Sequence, residues 1–201
     1  MNSKEKRLIV GISGASGMIY AVRLLQALPV EYKIHLIISK IAQQIMRAET
    51  GIDPITLTNM ESATALNIGA ADRFQVHGPD DHWAEIASGS YKTEGMIVIP
   101  CSMKTLSGIA NGYASTLMER AADVVLKEKR KLVLVVRETP LNRIHLQNML
   151  NAHDAGATVL PASPGFYHKP QNIDDLVDFI AARTLDALGI EQSLYSGWKE
   201  S

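Results

Sequence analysis

The stretch Leu8-Ile9-Val10-Gly11-Ile12-Ser13-Gly14-Ala15-Ser16-Gly17 decides the fold: an apolar run breaks into glycines spaced by threes, and a helical pattern resumes at Met18. A buried strand, a tight turn and a helix start read in that order. Glycine at 14 and 17 permits positive φ and lets a ligand approach without a Cβ in the way. The Ser13 and Ser16 hydroxyls and the free amides of the following helix are then expected to face an anion, with the positive end of the helix dipole behind them. The spacing is not G-x-G-x-x-G, since Ser13 stands two after Gly11. It is not a Walker A loop either, since Gly17-Met18 stands where Lys-Ser/Thr is required. A mononucleotide fits better; the alternative is a β-to-α turn that binds nothing.

Outward from this turn the same grammar repeats. Met18 to Leu28 carries Ile19, Val22, Leu25 and Leu28 at helical spacing until Pro29 stops it. Ile34 to Ile38 is a second strand, and Ser39 caps a helix running through Ile41, Ile45 and Met46 toward Glu49. Met96-Ile97-Val98-Ile99 reads as a strand buried on both faces, followed by Pro100-Cys101-Ser102-Met103-Lys104-Thr105-Leu106. Lys131 to Val136 is another, ending in Arg137-Glu138-Thr139-Pro140. Strands alternating with helices predict a three-layer α/β/α domain with a doubly wound parallel sheet, Rossmann-like (flavodoxin-like). In such a sheet ligands lie at the carboxyl ends of strands, so Ser39, Ser102, Thr105 and Arg137 gather at one rim, although Ser39 is equally explained as a cap.

Residues 50–81 are hard to read beyond a short strand at Phe74 to His77 and turn chemistry at Gly78-Pro79-Asp80-Asp81. Trp83 stands alone among small residues, as core packing or as a flat surface for a ligand. Ser115 is expected to cap a helix from Thr116 to about Lys129, with Arg120, Asp123 and Lys127 on one side, a pattern that a solvated salt-bridged face also produces. A helix over Leu141 to Leu150 has Ile144, Leu146, Met149 and Leu150 as its apolar side. After a short strand at Ala157 to Leu160, a loop with three prolines holds Phe166 and Tyr167 stiffly. Asn172 caps a last helix, and Gly189 ends it. Arg183 lies in that helix among apolar neighbours, its stem able to cover the core while its head reaches water.

Composition narrows the class. The chain has 201 residues, a length that suits one domain over 1–201, and a net charge of -1 gives no reason to invoke nucleic acid or an anionic membrane. A single cysteine, Cys101, excludes an intrachain disulfide and suits the cytoplasm, and no apolar run approaches a membrane span. The histidines show no metal-ligand spacing, and no histidine is placed beside Cys101 to make it a nucleophile. The tail from about 190 to 201, with Leu194-Tyr195-Ser196-Gly197-Trp198, either docks on a neighbouring subunit or frays.

Taken together, G-I-S-G-A-S-G-M-I-Y, A-S-G-S, I-P-C-S-M-K-T-L, R-A-A-D-V-V-L-K-E, R-E-T-P-L-N-R-I-H-L-Q-N-M-L and P-G-F-Y-H-K-P resemble the UbiX flavin prenyltransferases over nearly the whole chain. The resemblance implies a homo-oligomer, a dodecamer, that joins the dimethylallyl group of dimethylallyl monophosphate to N5 and C6 of reduced FMN, without a metal. The product, prenylated FMN, would serve a UbiD-type decarboxylase such as those of ubiquinone synthesis. By position, Gly14, Ala15, Ser16, Ser39, Ser102, Met103, Lys104, Thr105 and Arg137 correspond to FMN contacts. Arg120, Lys127, Tyr167 and Arg183 correspond to the prenyl-phosphate side, with Trp83, Glu49 and Glu138 around the donor and Ser16 and Glu138 near the reacting flavin. Those residue types suit the chemistry: cations neutralise a leaving phosphate, Trp83 faces an allyl cation, and Glu138, Ser16 or the released phosphate moves the C6 proton. Two rivals are an FMN-dependent decarboxylase of peptidyl-cysteine type, against which Pro164-Gly165-Phe166-Tyr167 stands in place of the expected late signature, and a non-catalytic flavin carrier.

Overall fold

The computed structural model describes residues 5–54 and 68–195. Six strands, β1 (Lys6–Ile12), β2 (Tyr32–Ile38), β3 (Phe74–His77), β4 (Gly95–Cys101), β5 (Lys131–Val136) and β6 (Thr158–Pro161), form one parallel sheet in the order β3-β2-β1-β4-β5-β6. Chain order runs outward in both directions from β1, so the topological switch point lies between β1 and β4.

Helices α1 (Met18–Ala27), α2 (Lys40–Thr50) and α6 (Ile173–Leu188) cover one face; α3 (Met103–Ala110), α4 (Leu117–Lys127) and α5 (Arg143–Asp154) cover the other. The apolar runs divide between two cores by strand alternation. Leu8, Val10, Ile34, Leu36, Ile97 and Val133 face α1, α2 and α6, while Ile9, Ile37, Met96, Val98 and Leu134 face α3 and α4. Burial on both sides of β1 and β4 fixes the height of the rim above them.

Several local expectations shift. Thr116, not Ser115, caps α4: its side chain accepts from the Glu119 amide while the Glu119 carboxylate reaches back to the Ser115 and Thr116 amides, each at 3.1 Å. A capping box needs its acid three residues on, and only Thr116 has one. Helix α5 is capped by Asn142, and of its apolar side only Met149 packs against the core. Ile144, Leu146 and Leu150 are 68%, 54% and 52% exposed, whereas Asn148 and Ala152 are buried. Asn111 donates to the Asn148 side chain at 3.3 Å across the α3–α5 contact, so the polar and small residues four apart take the inner stripe. Helix α6 follows expectation, with an Asn172–Asp175 capping box and a left-handed Gly189 at its end. The tail through Tyr195 packs on its own chain, the Tyr195 ring lying against Phe179 and His168. Residues 196–201 lie outside the described residues, as do 55–67.

Candidate active site

At the switch point the carboxyl ends of β1, β2 and β4 open a cavity of about 400 Å³, lined by Gly14, Ser39, Lys40, Asp80, Ser102, Lys104 and Thr105, with Ile37, Ile41 and Met118 as its apolar wall. Four of these hydroxyl and glycine positions come from three different strand-to-helix junctions, which the parallel sheet alone brings together. Gly14 leaves that wall its shape: a Cβ there would sit 2.8 Å from the Ile41 side chain. Ser39 both caps α2, accepting from the Ala42 amide at 3.1 Å, and lines the cavity, so the two readings of it are compatible. Ser102 likewise caps α3, whose N-terminus opens on the cavity, and Thr105 lies one turn on. The Met103 side chain is buried in the core, which leaves only its backbone at the start of α3.

The opening turn departs from expectation. The amides that were to be free for an anion are taken: the Gly17 and Met18 N–H groups both donate to Glu49 Oε2 at 2.9 Å. Gly17 adopts φ 102 to aim them, and a Cβ at that position would meet the Tyr20 ring at 2.9 Å. Burial raises the Glu49 pKa, but hydrogen bonds from the Ser16 hydroxyl and the Met18 and Gly17 amides outweigh it. With the Arg137 charge added, they hold the carboxyl below its ordinary range. The anion at this helix end is therefore the chain's own carboxylate. Nor does Ser13 face a ligand: it is fully buried, donates to the Pro100 carbonyl at 3.0 Å and accepts from the Ser102 amide at 2.8 Å, stitching the β1 and β4 junctions. Ala15 is buried, its amide bonded to the Ser13 carbonyl at 2.8 Å. Arg137 completes this cluster by donating from Nε to the Ser16 carbonyl at 3.2 Å. Glu138, next along, is exposed and accepts from the Thr139 amide.

The residues expected around the prenyl donor do not converge. Trp83 is 98% exposed, which rules out core packing. On α4, Arg120 donates to the Ala87 carbonyl at 3.2 Å and pairs with Asp123 at 2.8 Å, while Lys127 pairs with Glu128 at 2.7 Å rather than with Asp123. On the opposite face of the sheet, Arg183 of α6 pairs with Asp186 at 3.0 Å, and Tyr167 lies exposed beyond β6. The span from β3 to β6 is five strand spacings, about 24 Å. Cys101 is fully buried, and burial pushes its thiol up to about 12, so it is inert.

Reasoning from sequence missed Lys40, Asp80, Thr116 and Met118. Lys40 follows Ser39 at a strand's carboxyl end and was findable by that rule. Asp80 was visible only as a turn residue, yet it bonds Lys40 at 2.9 Å across the cavity mouth. Also missed was Glu119, buried and holding Lys104 Nζ at 2.9 Å, which sets where that lysine stands beside the cavity. Among the described residues no helix is long and apolar enough to cross a membrane.

A family model described as Flavoprotein matches residues 1–185. The chain is 50% identical to the flavin prenyltransferase UbiX of Alkalihalophilus pseudofirmus over 98% of both chains. Among solved structures, AnUbiX in complex with FMN and dimethylallyl pyrophosphate superposes with a TM-score of 0.87 at 38% identity, covering 98% of this chain and 100% of that one. The dodecameric FMN-dependent UbiX-like decarboxylase from Escherichia coli O157:H7 gives a TM-score of 0.85 at 47% identity, covering 96% and 99%.

Proposed function

The chain belongs to the UbiX flavin prenyltransferases, within the flavoprotein family, and from that premise we propose how its residues divide the reaction. The enzyme joins the dimethylallyl group of a dimethylallyl phosphate to reduced FMN. The observation that carries the residue assignment is the cavity at the switch point. Its hydroxyls at Ser39, Ser102 and Thr105, its lysines and its apolar Ile37, Ile41 and Met118 wall match a phosphorylated, planar, largely apolar ligand. A volume of about 400 Å³ falls within the range of small-molecule sites.

In this reading the phosphate of FMN lies at the N-terminus of α3, where Ser102, Met103, Lys104 and Thr105 present hydroxyls, amides and a cation. Gly14, Ala15, Ser16, Ser39 and Arg137 shape the rest of the flavin site. When bound, reduced FMN supplies the electron-rich ring that accepts the allyl group. Arg120, Lys127 and Arg183 take up the charge that develops on the leaving phosphate, and the Tyr167 hydroxyl adds a neutral donor. The Trp83 face steadies the cation-like allyl group while water is excluded. On this reading Ser16 Oγ, bonded to an ionised Glu49, and the Glu138 carboxylate move the ring proton.

Arg120 and Lys127 belong to one helical layer, Arg183 to the other, with the sheet between them. One prenyl phosphate can touch all three only if copies of the chain supply them jointly. This accounts for why each is tethered to a local acid and why Trp83, Tyr167 and the Ile144 face are exposed in a single chain. A dodecamer, as in the E. coli relative, is the assembly this reading adopts. We extend it to a cytoplasmic enzyme whose product is passed to a UbiD-type decarboxylase. Mixing the protein anaerobically with reduced FMN and dimethylallyl monophosphate and weighing the bound flavin tests the reading. A heavier flavin is expected, and an unchanged FMN mass overturns it in favour of a flavin carrier.

A further inference from the structure

Two buried histidines and a half-buried tyrosine form a polar chain that neither the flavin nor the donor assignment uses. His35 of β2 is fully buried, its Nδ1 lies 2.9 Å from His77 Nε2 of β3, and its Nε2 lies 3.0 Å from the Tyr91 hydroxyl. The two imidazoles stack at 5.2 Å, and the Tyr91 ring meets His35 edge-on. The Arg7 guanidinium lies over the Tyr91 ring, 4.7 Å from its centroid. A second pin stands beside it: Gln75 of β3 donates to the Glu85 carboxylate at 2.8 Å.

Proton counting allows two orders for the chain. With both imidazoles neutral, one order has the Tyr91 hydroxyl donating to His35 Nε2 and the His35 Nδ1–H donating to His77 Nε2; in the reverse order the phenolic proton turns to solvent, which half-buried Tyr91 can reach. Burial, with His77 and the cations Lys33 and Arg7 against it and Glu85 opposing, holds His35 down to about 4. The relay is therefore neutral at ordinary pH.

What it anchors is a ledge of carbonyls. The Ala87 carbonyl accepts from Arg120 Nε at 3.2 Å, while the Gly89 and Tyr91 carbonyls hold Arg130 at 2.7 and 2.8 Å. At its other end His77 closes β3 just before the turn whose Pro79 and Asp80 line the cavity.

We propose that His77, His35 and Tyr91 are positioning residues for the prenyl donor: they fix residues 85–91 to the sheet so that the Ala87 carbonyl holds Arg120 where the donor phosphate binds. The proposal rests on the assignment of Arg120 to that phosphate. Tyr91 acts through its hydroxyl, whose loss leaves the ring and its stacking in place.

The experiment compares Tyr91→Phe and His35→Gln with the unaltered full-length enzyme saturated with reduced FMN. The KM for dimethylallyl monophosphate is expected to rise about five- to ten-fold, the loss of one buried hydrogen bond, with kcat and the FMN Kd changed less than about two-fold. Backbone amides of 85–91 should exchange faster with solvent in both variants. An unchanged KM, or kcat and FMN affinity falling together with it, overturns the positioning role. Arg120→Ala distinguishes the two ideas. A KM left unchanged by that variant removes the phosphate assignment beneath the proposal, whereas a KM raised by it but not by Tyr91→Phe overturns the relay alone.

Discussion

The cavity at the switch point, proposed for the flavin, and the set of residues proposed for the prenyl donor are arranged differently. The first is lined within one chain: Gly14, Ser39, Ser102 and Thr105 reach one cavity because three parallel strands end side by side. The second is spread over both helical layers and more than one edge of the sheet, with Trp83, Tyr167 and Ile144 facing outward. On the proposed reading, sheet topology shapes the flavin cavity within each chain, whereas the donor site needs copies of the chain to meet. Substitutions should therefore separate the two ends.

The largest separation should come from Ile144→Asp on the outward face of α5. A charge there opposes burial between copies. Assembly size, followed by sedimentation, should fall and prenyl transfer should drop more than about a hundred-fold, while FMN binding changes less than about three-fold. Loss of FMN binding to the same extent would break the comparison.

Next is the pH dependence of the relay between the two ends. His35 is held at about 4 in the folded chain against 6.5 unfolded, so between these values the unfolded chain binds more protons. Stability should be flat above about pH 6.5 and fall by about 3 kcal/mol as pH drops toward 4, measured by denaturant unfolding across that window. His35→Gln should flatten this slope.

Arg183→Ala should raise the KM for dimethylallyl monophosphate about ten- to a hundred-fold, as expected for one charge-assisted hydrogen bond, with the FMN Kd nearly unchanged in a titration. The smallest effect belongs to Ser39→Ala. It removes the α2 cap at a cost of about 1 kcal/mol in thermal or denaturant unfolding and weakens FMN rather than the donor.

The same contrast explains what could be read from sequence. Strand-to-helix junctions are local, so Ser39, Ser102 and the Asn172 to Gly189 helix were legible from caps, apolar runs and glycine. The apolar side of α5 was legible as a face, but helical spacing does not report what covers it: Asn148 and Ala152 took the inner stripe, with Met149 partly packed against the core. Thr116 and Met118 reach the cavity from a helix far along the chain, and no local pattern reports that distance. Nor does any pattern pair His35 with His77 and Tyr91, whose union depends on the register of β2 with β3.

Glu49 bears on which way round a ligand would lie. By seating its own carboxylate on the Gly17 and Met18 amides, the chain occupies the anion berth at the start of α1 and leaves the starts of α2 and α3 as the helix ends that open on the cavity. On the proposed reading, a ligand with a dianion at one extremity and a flat ring at the other is steered away from the α1 end and enters one way round. Glu49→Gln should reveal this as a loss of orientational fidelity, a second bound pose in the flavin's circular dichroism, rather than as a simple loss of affinity.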